Sequence, residues 1–180
     1  MKHTRIALSA ISLFFIVGCS DQDNNKPVTT NSAVSTSPVK VVSLSKDMPA
    51  SIKSVPTEVA GRCAVDYVNA PVKEEVIAIS RAAGLNIWGW ALDEKSASVT
   101  PEVFLYLQKG TEHYYGQINR HGNRSDLAKA FGKSEFSNAG YAGTVDISSL
   151  PVGQYEILII QKGQNKSLVC GTKHKLELRD

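Results

Sequence analysis

Between residues 60 and 180 the sequence repeats one pattern: short runs with a two-residue period, separated by turn-forming residues. Cys63, Val65 and Tyr67 follow this period, which would place them on one face of a strand. Turn residues occupy 109–110, 151–153 and 162–165. Short strands at this spacing predict an antiparallel sandwich or barrel, and we expect an all-β, Ig-like β-sandwich. The predicted strands lie at about 63–67, 76–79, 85–92, 103–107, 113–118, 141–147, 155–160, 167–170 and 175–178.

One segment departs from the strand pattern. Ser125 precedes a run of helix-forming residues that ends at Gly132, so residues 125–132 predict one short helix. The 121 residues from 60 to 180 suffice for a single domain with its own core.

The N-terminus carries the pattern of an export signal. Lys2, His3 and Arg5 form a basic head, and Ile6 to Val17 is an apolar run of 12 residues. Such a run is too short for a helix that spans a bilayer, which needs about 20 apolar residues. We therefore predict a signal peptide over residues 1–18.

The apolar run ends in the sequence IVGC, with the cysteine at position 19. This ending resembles the lipobox of bacterial lipoproteins, although an ordinary signal peptide with a chance cysteine is the alternative. The resemblance implies cleavage before Cys19 and attachment of acyl chains at that residue, which would anchor the protein to a lipid bilayer. Ser20, rather than an acidic residue, follows the cysteine, which in such lipoproteins implies the outer membrane.

Residues 19–59 predict a disordered tether. They are rich in Ser, Thr, Asn, Asp, Lys and Pro, and their apolar residues show no sustained period. A short piece at 39–44 could form a strand.

The net charge limits the kinds of partner to be expected, and the cysteines indicate the redox state of the compartment. The full chain has a net charge of +3, and removal of Lys2 and Arg5 with the signal leaves +1, which argues against a nucleic-acid partner. Export would place Cys63 and Cys170 in an oxidising space, where they predict a disulfide; two buried thiols are the alternative.

A further resemblance comes from four short motifs: GWALD at 89–93, RSDLA at 124–128, AGY at 139–141 and LPVGQY at 150–155. Their order is similar to that in a poorly characterised bacterial β-sandwich module, found appended to glycosyltransferases and other surface-polysaccharide proteins. The resemblance covers about 85–160 and implies a role with carbohydrate. It supplies no catalytic residues.

Aromatic residues are the first candidates for binding contacts. Trp88 and Trp90 lie two residues apart in a predicted strand and would share a face, either as an exposed platform or as part of the core. Their apolar neighbours favour burial of at least one indole. Tyr114 and Tyr115 would point to opposite faces, so we expect at most one in the core and the other as a binding contact.

The richest polar cluster is NRHGNRSD at 119–126. Arg120 and Arg124 could bind an anionic group through their planar guanidinium groups. The alternative, which we favour for Arg124, is an ion pair with Asp126 or Asp93 that holds the loop over the sheet. Arg120 and His121 are then the freer candidates.

No motif indicates an enzyme, a metal site or a cofactor. His113, His121 and His174 have no metal-ligand spacing, and the sequence lacks a G-x-S-x-G motif and a glycine-rich phosphate loop. The sequence thus favours a non-catalytic envelope lipoprotein that binds surface polysaccharide. The alternative is a protein–protein accessory or inhibitor of the envelope.

Overall fold

The structure is a computed structural model that describes residues 40–180. The predicted signal peptide, Cys19 and the tether up to residue 39 lie outside the described residues. None of the helices in residues 40–180 is both long and apolar enough to cross a membrane.

The described chain is mainly β-structure. Two short helices, α1 (Ala50–Lys53) and α2 (Ser125–Phe131), and 3₁₀ turns at Arg81–Ala83 and Ser134–Asn138 interrupt the strands. The strands are β1 (Val41–Ser43), β2 (Thr57–Val59), β3 (Arg62–Val68), β4 (Val76–Ser80), β5 (Leu85–Leu92), β6 (Glu102–Lys109), β7 (Glu112–Arg120), β8 (Gly140–Asp146), β9 (Gly153–Lys162) and β10 (Ser167–Arg179). Every strand predicted from the two-residue period is present, and the two predicted last strands are one long strand, β10.

The strands form one curled sheet. Eight of them follow the order β2-β10-β9-β6-β7-β8-β5-β3, while β1 pairs with β8 and β4 pairs with β10. The curl brings β3, the last strand of this path, against β10 near its beginning, and a disulfide joins Cys63 to Cys170 there. The predicted disulfide is confirmed.

The inner face of the curled sheet encloses the main core. Leu85, Ile87 and Ala91 of β5 point inward, and Leu105 and Leu107 of β6 meet them from the far side of the curl. This alternation is the reason that these segments read as strands in the sequence. The main core depends on contacts between strands far apart in the chain.

A bulge in β3 changes which of its residues face inward. Val65 lies opposite Gly89 and Tyr67 lies opposite Trp88, so Asp66 is the extra residue of the bulge. Tyr67 is thereby turned to the outer face. The prediction that Cys63, Val65 and Tyr67 share one face is wrong for Tyr67.

Residues 40–59, which the sequence analysis assigned to the tether, belong to the fold. Val42 of β1 is buried, as is Ile52 of α1, which packs against Phe104 and Tyr115 on the outer face of the sheet. The sparse apolar residues of this segment are therefore sufficient to cover part of a sheet, although they form no periodic pattern of their own.

Helix α2 and the 3₁₀ turn after it cover another part of the outer face. Leu127 and Phe136 pack on Leu92 at the end of β5. The helix begins at Ser125 as expected, but the serine side chain makes no capping hydrogen bond. Gly132 ends it in the left-handed conformation at φ 65°, as the sequence predicts.

Candidate functional site

The two tryptophans of β5 share one face, as predicted, and this is the outer face, where neither is fully buried. Trp90 is half-buried, because Phe131 of α2 lies over that end of the strand with ring centroids 6.2 Å apart. Trp88 lies farther from the helix and is 46% exposed. The expectation that at least one indole would be buried is wrong, since α2 covers Trp90 only in part and leaves Trp88 exposed.

Tyr67 holds the indole of Trp88 in place. The two rings stack with centroids 3.6 Å apart and planes 9° from parallel. Because Tyr67 covers one face of the indole, the exposed area belongs to its other face and its edge. This stack exists only because the bulge at Asp66 turns Tyr67 outward.

A network of charged side chains lies beside the indole. Arg124 donates two hydrogen bonds to Asp126, from Nε at 3.0 Å and from Nη2 at 2.8 Å, and its Nη1 donates to Asp66 at 2.7 Å. The hydrogen bonds to Asp126 raise the pKa of Arg124 and lower the pKa of Asp126 to about 2. Arg124 and Asp126 are therefore both ionised near neutral pH.

The expected pairing of Arg124 with Asp126 is observed, whereas the alternative with Asp93 is not. Asp93 instead accepts hydrogen bonds from the hydroxyl of Ser96 at 2.7 Å and from the backbone N–H of Lys95 at 3.0 Å, which closes the turn after β5. The second carboxylate on Arg124 comes from Asp66, the bulge residue of β3.

Trp88 and the charged network border one open depression of about 400 Å³. Asp66, Trp88, His121 and Arg124 line it, and Gly89 and Tyr141 lie at its base. We call the group Asp66, Tyr67, Trp88, His121 and Arg124 the Trp88 site.

The base of the Trp88 site is tightly packed. Tyr141 is buried, which raises its pKa above the usual range, and its hydroxyl donates to the backbone oxygen of Ala64 at 2.9 Å. A side chain on Gly89 would place its Cβ 2.0 Å from that same oxygen. The glycine is thus required for the close approach of β3, β5 and Tyr141.

His121 borders the depression from the loop after β7. Its backbone N–H donates to the carbonyl of Gly140 at 3.0 Å, and the residue is exposed. Within the described part of the chain its imidazole makes no hydrogen bond, so this side chain is available to a ligand.

Arg120 does not belong to the Trp88 site, although the sequence left it as a candidate for binding. Its Nε donates to the carbonyl of Thr100 at 2.8 Å, and its Nη1 donates to the carbonyls of Ala91 and Ala139, both at 2.9 Å. Burial lowers its pKa to about 10. Arg120 ties three separate segments together and is a structural residue.

Neither Tyr114 nor Tyr115 is a binding contact. Tyr114 is 4% exposed in the main core, and Tyr115 is 6% exposed beneath α1 on the opposite face. The expectation that at most one would be buried is wrong, because the segment before α1 covers the outer face that the sequence analysis left open to solvent.

Two members of the Trp88 site, Asp66 and Tyr67, were missed in the sequence. A single-residue bulge leaves little trace in a two-residue period, so nothing marked Tyr67 as outward-facing. The one usable signal was the aspartate inside an otherwise apolar strand.

The Trp88 site offers several groups that can contact a ligand. Within residues 40–180, no three His, Cys, Asp or Glu side chains form a group that could hold a metal ion. The Trp88 site presents an aromatic surface, two remaining N–H groups of Arg124 and the unpaired oxygen Oδ1 of Asp66. Such a set complements a ligand with both apolar faces and hydroxyl groups.

Comparison of the chain with protein-family models, with curated proteins and with solved structures gave no significant match.

Proposed function

We propose that this chain is an envelope lipoprotein whose β-domain binds cell-surface polysaccharide at the Trp88 site without catalysis. The observation that carries the proposal is the exposed indole of Trp88, fixed by Tyr67 and placed beside the Arg124 network. An exposed aromatic side chain with convergent polar groups is the usual composition of a binding site.

The chemistry of the site suits a sugar ring. The C–H face of a pyranose is apolar and can cover the indole, while each ring hydroxyl both donates and accepts hydrogen bonds. Arg124 offers donors and Asp66 an acceptor on the same side of the depression. Because Tyr67 and the two carboxylates already hold Trp88 and Arg124, little side-chain freedom would be lost on binding.

Anchoring and location form part of the proposal and rest on the sequence. The IVGC ending of the apolar run supports acylation of Cys19, and Ser20 supports the outer membrane over the inner one. We expect lipid labelling of the protein in cells to disappear in the variant Cys19→Ala. Absence of label from the unaltered protein would refute the anchor.

We also infer that the curled sheet belongs to the Ig-like β-sandwich type. The shared core of the two halves of the curl and the disulfide between β3 and β10 support this arrangement. An experimental structure of the domain would test it by the angle between the two packed layers, which is about 30° in aligned sandwiches.

The function is tested by binding of purified envelope polysaccharides to the full chain in isothermal titration calorimetry. We expect Trp88→Ala to weaken binding about tenfold or more, as for a central aromatic contact. Val152→Ala is the matched control, since Val152 is 44% exposed and does not line the depression. Binding that Trp88→Ala leaves unchanged, or no binding of any polysaccharide, contradicts the proposal.

A protein partner is the second candidate, because exposed tryptophans are frequent energetic centres of protein interfaces. A photo-crosslinking residue at His121 in cells separates the two. One dominant protein adduct favours the protein partner, and recovery of glycan alone favours polysaccharide.

A further inference from the structure

The charges of the Trp88 site carry information about its ligand. The carboxylates of Asp66 and Asp126 share the single guanidinium of Arg124, so these three groups together carry a net formal charge of −1. Arg124 is the only lysine or arginine that lines the depression in the described part of the chain. The excess charge is therefore not balanced at the site.

Resting on the proposed function, we infer that the Trp88 site selects sugar units that are neutral or carry an amino group, and that it rejects units bearing carboxylate, phosphate or sulfate.

The geometry of Arg124 is the first argument. A guanidinium recognises an anion best through two parallel N–H groups, and Nε and Nη2 of Arg124 already donate to both oxygens of Asp126. Nη1 is bound to Asp66. The two N–H groups that remain lie on different nitrogen atoms and serve single acceptors such as hydroxyl oxygens. Arg124 can thus position a sugar through single hydrogen bonds, but it cannot donate two parallel hydrogen bonds to the acidic group of a charged sugar.

Exposure of the three groups is the second argument. The side chain of Arg124 is 22% exposed, whereas those of Asp66 and Asp126 are 41% and 62% exposed. The carboxylates therefore face solvent more than the cation does. Of the two carboxylates, that of Asp66 lines the depression together with the indole of Trp88, so a protonated amine bound there meets a negative group and an aromatic face, which attracts cations.

A mildly acidic pH does not neutralise the carboxylate of Asp126. The hydrogen bonds from Arg124 hold the pKa of Asp126 near 2, so its carboxylate is ionised in mildly acidic as well as neutral surroundings. Asp126 therefore keeps its contribution to the charge of the network in both conditions.

The experiment compares three tetrasaccharides that share one β-1,4-linked glucosamine backbone: the N-acetylated form, the de-acetylated cationic form and an N-acetylated form oxidised to carboxylate at C6. Each is titrated into the full chain at low and high salt. We expect the carboxylated form to bind about tenfold more weakly than the neutral form at low salt, and the amino form to bind at least as tightly. The difference should shrink as salt screens the charges.

Variants that remove one carboxylate test whether the net charge of the network causes the selectivity. Asp126→Asn brings the net charge of the network to zero while it keeps the pair between Arg124 and Asp66, so the preference for the neutral over the carboxylated tetrasaccharide should fall several-fold. Glu94→Gln is the matched control, because it also removes one carboxylate from an arginine ion pair, with Arg62 at 3.1 Å, outside the Trp88 site.

The outcomes separate this inference from the proposed function. If the carboxylated form binds as tightly as the neutral form, and Trp88→Ala weakens both, the charge selectivity is overturned while the polysaccharide site stands. If none of the three forms binds, both fail.

Discussion

The backbone contact at Gly89 makes a sharp prediction about stability. This glycine lies in β5 at the base of the Trp88 site, and a Cβ atom there would lie 2.0 Å from the backbone oxygen of Ala64 and 2.7 Å from the hydroxyl of Tyr141. The backbone has no strained φ that would explain a glycine at this position. Close packing of β3 against β5 is therefore the reason that residue 89 must be a glycine.

The cost of Gly89→Ala follows from these distances. A Cβ almost never approaches another heavy atom closer than 3.0 Å, so the Ala64 carbonyl must move by about 1 Å. Overpacking of this kind costs about 1–3 kcal/mol. Loss of the hydrogen bond from Tyr141 to Ala64 adds about 1 kcal/mol. We expect Gly89→Ala to lower the free energy of unfolding by about 2–4 kcal/mol.

Urea denaturation followed by tryptophan fluorescence measures this loss. The matched control is Gly171→Ala in β10, because a Cβ at Gly171 has no heavy atom within 4 Å and the residue has no positive φ. The control should change stability by less than about 0.5 kcal/mol. If Gly89→Ala and Gly171→Ala were equally stable, the strands would not approach as closely as described, and the rigid base of the Trp88 site would be refuted.

Three further predictions concern other parts of the fold. Replacement of Cys63 and Cys170 together by serine should lower the free energy of unfolding by about 2–5 kcal/mol, because the disulfide closes a loop with a sequence separation of 107; an unchanged urea midpoint would contradict this. Ile52→Ala should lower the free energy of unfolding by about 2–5 kcal/mol in the same assay, since the side chain is fully buried against the outer face of the sheet. If residue 52 belonged to a disordered tether, the substitution would leave the free energy of unfolding unchanged. The pKa of Asp126 falls from 3.8 to about 2 on folding, so its contribution to stability is present above about pH 4 and is lost as the pH falls toward 2. The difference in urea midpoint between the unaltered protein and Asp126→Asn should therefore shrink over that range, and a difference independent of pH would argue against the ion pair with Arg124.

The regular part of the fold could be predicted because its cause is local. Inward-facing residues such as Leu105 and Leu107 alternate in the sequence as they do in space, and the glycine at 132 marks the end of α2 through its own conformation. The disulfide was also predictable, since only two cysteines follow Cys19 and export would oxidise them. In these cases each residue carries its own signal.

The predictions that were wrong concern residues whose surroundings come from distant parts of the sequence. Whether Trp88 or Tyr115 is buried depends on which segment covers the outer face of the sheet, and those segments, α2 and α1, lie far away in the sequence. The role of Arg120 depends on carbonyl groups from three separate segments. A side chain with long-range partners has no periodic signature, so its environment could not be read from its neighbours.

The Trp88 site arises where two irregular features of the fold meet. The bulge of β3 supplies Asp66 and turns Tyr67 outward, and the loop before α2 supplies Arg124, whose guanidinium joins the two. Helix α2 itself covers Trp90 and stops short of Trp88. Without the bulge, Tyr67 would point inward, and a helix α2 that extended farther over the sheet would cover Trp88 as well. Each feature costs regular pairing or coverage, and only their combination leaves an exposed, rigidly held aromatic ring beside an ion-pair network. The proposed binding function would account for this coincidence.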